Sequence, residues 1–146
     1  MIDTLLTKYT HHLQYPPYLS AHGFLWLAWL GWQYSQMDIC YANILIWLTG
    51  LANHSHRSAH SGWYWCDVIF VHSTAGYYLT YSMWSFPFYP YVLTEWFFAF
   101  LTVCWFHGYS RKPYAKEWGQ CVVHGLVICA QTAYILGYDS MSRHLT

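Results

Sequence analysis

The sequence predicts an all-α protein: a multi-pass transmembrane helical bundle of about five spans, N-terminus inside and C-terminus outside. Three observations carry that expectation. Charged residues make up 8% of the 146 residues, against roughly 25% in an ordinary soluble domain. Aromatic residues make up 23%, with ten Trp and fifteen Tyr. The chain also contains long stretches without Asp, Glu, Lys or Arg, at 9–37, 39–56, 58–66, 68–94, 96–110 and 118–138. A soluble chain this poor in charge would expose large apolar patches and aggregate. Mean hydropathy is only +0.16 because Tyr, Trp and His score low, although they suit helix packing and the membrane interface.

The length fits one integral membrane domain over residues 1–146. About 20 apolar residues cross a bilayer core. The first span is expected at 19–36, after Pro16 and Pro17, and the second at 39–53. The third, at 63–84, is separated from the fourth, at 91–107, by Pro87 and Pro90, two breakers too close to share one helix. Gly108 and Pro113 bracket the break before the fifth, at 118–137. The second span is short: 15 residues reach only about 22 Å. A four-span arrangement with a re-entrant second segment is the alternative.

Charge supports the five-span arrangement. With five spans, Lys8, Arg57, Arg111, Lys112 and Lys116 share one side and Arg143 alone lies on the other. This positive-inside bias fixes the orientation, and four spans would scatter the same charges over both faces. The formal net charge of zero gives no electrostatic case for nucleic acid. The expected surroundings are therefore a lipid bilayer and other membrane subunits. No internal repeat, second soluble domain or cleavable signal peptide is expected, since Asp3, Lys8, His11 and His12 precede any apolar run. Cys104, Cys121 and Cys129 fall inside apolar runs and read as free thiols.

The polar groups concentrate around residues 52–70, ANHSHRSAHSGWYWCDVIF. In the five-span topology His54 ends the second span on the inner side and Asp67 begins the third. His107 ends the fourth on the inner side. His72 and His124 lie a few residues deeper. Four helices thus place polar side chains in one inner-leaflet layer, where they would face each other rather than lipid. Several His with a carboxylate suit Zn²⁺, which keeps a position open for water and lowers its pKa. His54, His124, His72 and His107 are the candidate metal ligands, and Asp67 the candidate catalytic base. The competing reading is that each His makes an interhelical hydrogen bond and that Asp67 caps its helix. Glu95 and Glu117 read as snorkelling or first-turn acids. The Trp clusters read as core and interfacial belts.

The order Thr49, Asn53-His54, Asp67, His124 resembles the superfamily that joins alkaline ceramidases and adiponectin-type receptors. These are seven-span membrane zinc hydrolases of lipid amides, with Ser and His on the second span, Asp at the third and HxxxH on the last. The resemblance covers residues 45–130 and implies His54 and His124 as zinc ligands, Asp67 as the partner of the water and Thr49 in place of the serine. The last-span motif here is Gln120-x-x-x-His124, so His72 or His107 would have to supply the missing ligand. A second resemblance, through His56 and Asp67 eleven residues later, is to the membrane anchors of succinate dehydrogenase. It implies haem or quinone, although Val68 stands in place of their Tyr.

Two functional expectations follow. One is a zinc-dependent hydrolase of lipid amides or esters. The other is a non-catalytic subunit of a larger membrane assembly, such as a respiratory complex or a viral or organellar membrane. Haem held by paired His, for example His72 with His124, is the alternative cofactor.

Overall fold

The computed structural model of the chain describes residues 16–56, 62–85, 89–108 and 116–145. The basic residues Lys8, Arg57, Arg111 and Lys112, the breakers Pro87 and Pro113, and His11, His12 and His60 lie outside the described residues. Among those described, every regular element is an α-helix. In chain order they are α1 (Pro16–Ala21), α2 (Gly23–Gln33), α3 (Met37–His56), α4 (Gly62–Ser85), α5 (Pro90–Gly108) and α6 (Lys116–Leu145).

The local sequence sets each boundary. Pro16 and Pro17 open α1, where missing N–H groups have no helical acceptor to lose. One irregular residue, His22, separates α1 from α2. Its N–H bonds Leu19 O at 3.2 Å, and its Nδ1 lies 3.0 Å from Tyr18 O. α2 closes with a Schellman turn, in which Gln36 N donates to Gly31 O at 2.8 Å and Ser35 N donates to Trp32 O at 3.0 Å. Ser35 takes the left-handed position at φ 57°. A glycine fits that position better, because left-handed backbone strains a residue with a Cβ by about 1–2 kcal/mol. Ser35→Gly is therefore expected to raise stability by up to about 1 kcal/mol, read as a higher midpoint in reversible SDS unfolding.

α3 is 20 residues long, about 30 Å of helix. The expected 15-residue segment is too short. The helix runs past Asn53 and His54 to His56, because polar side chains can stay helical when a neighbouring helix supplies partners. Asn53 Nδ2 donates to Asp67 Oδ2 of α4 at 2.9 Å. The expected segment 19–36 is not one helix: it is broken at His22 into α1 and the 11-residue α2, about 16 Å long. α4 and α5 match the expected 63–84 and 91–107 to within one residue at each end, and α6 starts two residues before 118 and runs on to Leu145. By length and apolarity alone, the described residues contain one helix able to cross a membrane, Trp118–Ser140 within α6, with a mean hydropathy of 1.5.

α2 and α3 form an antiparallel pair, α4 packs on α3, and α5 packs along α6. α6 also lies against α1 and α2 and so ties the two halves together. The core is Phe24, Leu27 and Leu30 of α2, Ile39 and Ile46 of α3, Tyr78 of α4, and Tyr134 and Ile135 of α6. The α2–α3 turn is pinned to α6 by Gln36 Nε2, which donates to Ile135 O at 3.0 Å. α4 and α5 touch only briefly. Between them and α6 a groove of about 530 Å³ stays open.

Several polar side chains lie inside beside the apolar core, and several large apolar ones lie outside. Asn43 (0% exposed), Ser82 (1%) and Glu95 (3%) are buried inside, while Trp84 is 89% exposed. Trp32, Trp118, Phe97, Phe100, Ile69 and Tyr77 also face outward.

Candidate functional site

The densest polar cluster lies where α1, α3 and α6 meet. Ser20 Oγ is 2.7 Å from His124 Nδ1 and donates to Pro17 O at 3.1 Å. A hydroxyl has one proton. While Ser20 directs it at Pro17, His124 carries its own proton on Nδ1 and presents a lone pair at Nε2. The His124 ring packs edge-on against Phe24, with centroids 5.5 Å apart, and against His54 at 5.4 Å. His54 is buried at the end of α3.

Asp67 stands one element away. Its Oδ2 accepts from Asn53, and its Oδ1 lies over Gly50, where an added Cβ would be 3.6 Å from it. The small Gly50 lets this carboxylate rest against α3. Thr49 Oγ1 donates to Leu45 O at 2.9 Å within its own helix and lies beside the Asp67 carboxylate.

His72 and His107 are exposed and line the groove among α4, α5 and α6. His72 Nδ1 is 2.7 Å from Val68 O, one turn back. The structure thus brings His54 and His124 together and leaves His72, His107 and Asp67 elsewhere. Among the described residues, no three His, Cys, Asp or Glu side chains come close enough to share a metal ion. A catalytic zinc needs about three protein ligands. Among the described residues, the candidate imidazoles that meet are those of His54 and His124. His72 borders the groove, whereas His124 sits among Ser20, Phe24 and His54.

Two residues carry more than their sequence context announced. Ser20 is an unremarked serine between Leu19 and Ala21, and only the α1–α6 packing gives it a partner. Glu95, expected to snorkel or cap, is instead turned inward against Ser82. Its Oε2 is buried without a hydrogen-bond partner. A signal for this was present. Val92, Glu95, Ala99 and Thr102 follow a 3-4-3 spacing, and small residues on one stripe mark a face that packs against other helices.

No protein-family model, curated protein or solved structure matches the chain.

Proposed function

We propose that the chain is a five-span integral membrane protein, N-terminus inside, that serves as a membrane subunit of a larger assembly. The observation that carries this reading is where these side chains lie: buried Asn43, Ser82 and Glu95 beneath a surface of exposed Trp, Phe and Ile. In water such a surface would aggregate, whereas in lipid it is the favoured arrangement. Most of the apolar stretch of α6 is not buried within the bundle, which distinguishes it from the core helix of a soluble protein. α1 and α2 are each too short to cross alone, and α3, α4 and α5 score low on hydropathy because they interleave Trp, Tyr and Phe with Ser, Thr and His, the residues of interfacial belts and interhelical contacts. The groove left between α4, α5 and α6 supports a partner or lipid on that side.

In this reading the links from Ser20 to His124 and from Asn53 to Asp67 are interhelical hydrogen bonds, worth about 0.6–2 kcal/mol each in a bilayer. Purification from membranes in mild detergent is expected to yield the chain with stable partner chains. A monodisperse lone chain would count against the subunit role.

One observation favours a second reading, hydrolysis of a lipid ester or amide. Ser20 Oγ lies within hydrogen-bond reach of His124 Nδ1; activation requires the other tautomer, with Nδ1 unprotonated and the Ser20 proton turned from Pro17 O to it. A fluorophosphonate probe separates the two readings. Labelling at Ser20 that disappears with His124→Ala would establish a nucleophile, and an unlabelled protein leaves the pair structural.

A further inference from the structure

Tyrosines are unevenly placed in this chain, and five of them, with one carboxylate, meet where α3, α4 and α6 come together. Tyr77 and Tyr81 lie one turn apart on α4, with ring centroids 6.2 Å apart and planes 14° apart. Tyr134 and Tyr138 repeat the arrangement on α6, at 6.2 Å and 21°. Spacing of i and i+4 puts each pair on one helix face. The four rings and Asp38, from the first turn of α3, line a pocket of about 190 Å³. Tyr78 anchors the arrangement. Its hydroxyl donates to Asp38 Oδ2 at 3.2 Å, and its ring meets that of Tyr134 at 5.0 Å. Tyr81 of α4 and Tyr138 of α6 face each other across the pocket. Among the described residues no ion pair involves Asp38.

We propose that this tyrosine-lined pocket, with Asp38 at its edge, binds a quaternary ammonium group. A carboxylate framed by aromatic rings is complementary to a cation. A primary ammonium is strongly hydrated and seeks hydrogen-bond acceptors. A trimethylammonium has no N–H to satisfy and is stabilised by ring faces and a nearby negative charge. The pocket suits a headgroup-sized cation and is too small for an acyl chain. In the orientation proposed above it opens at the outer interface, beside the α2–α3 turn, where choline headgroups reside and Tyr is enriched. Binding by the pocket does not itself require that orientation. The same chemistry could be presented by a lipid headgroup or by a soluble choline compound.

The test is saturation-transfer NMR on the purified protein in nanodiscs of phosphatidylethanolamine and phosphatidylglycerol, which contain no quaternary ammonium. Choline is the probe, with tetramethylammonium and ethanolamine as competitors. Transfer to the choline methyl protons is expected, displaced by tetramethylammonium and much less by ethanolamine. Tyr77 is outward-facing, so Tyr77→Leu leaves the core intact and is expected to weaken binding by at least about threefold, with Asp38→Asn weakening it about tenfold. Absence of transfer to the wild type would overturn the proposal. So would equal displacement by ethanolamine, or no effect of either substitution. A second arm assigns the source. Loss of the choline signal when phosphatidylcholine is built into the nanodisc identifies a lipid headgroup as the ligand, and persistence identifies a soluble one.

Discussion

Ile135→Ala and Leu27→Ala will each lower the free energy of unfolding by about 2–5 kcal/mol, because truncation in a packed core loses contacts and leaves a cavity. Both side chains are fully buried. They lie on α6 and α2, the two helices whose contact joins the halves of the bundle. Ile135 also presents the carbonyl that accepts from Gln36 Nε2, so a shift of α6 there strains the α2–α3 turn as well. The measurement is reversible unfolding in mixed micelles with SDS. An effect below 1 kcal/mol at both sites would mean that α2 and α6 do not pack as described.

The second large effect is expected at Gly137. A Cβ at this position would lie 2.5 Å from Tyr91 Cβ and 3.1 Å from Tyr91 Cγ. Those atoms are close to the α5 backbone and cannot swing aside as the end of a long side chain can. Gly137→Val must therefore push α5 from α6, and overpacking of this kind costs about 1–3 kcal/mol. Gly125, on the same helix with nothing within 4 Å of an added Cβ, is the control. Gly125→Ala is expected to stabilise by about 0.5–1 kcal/mol, because it restricts the unfolded chain and fits a helix better. Opposite signs at two glycines of one helix would locate the α5–α6 contact without any structure determination.

The helices were legible in the sequence because uncharged runs and paired prolines punctuate it strongly. Pro16-Pro17 and Pro90 mark helix starts almost to the residue. The length of α3 was not legible. Asn53 and His54 read as a helix end when only their polarity is considered, and the Asp67 side chain that keeps Asn53 satisfied within a helix comes from another element. The candidate site was legible in part. His54 and His124, two of the four candidate ligands, come into ring contact. His72 and His107 line a different groove. Depth follows from residue count along a span, whereas facing direction depends on helix rotation, which an all-round apolar helix does not encode. The same limit hid Ser20 as the partner of His124.

The membrane topology is the most direct test. Epitope tags at both ends, combined with alkaline carbonate extraction and protease protection in sealed vesicles, would read it. The account predicts that the protein stays in the membrane pellet, with the N-terminal tag on the inner side and the C-terminal tag on the outer side. Release into the carbonate supernatant, or both tags on one side, would contradict it.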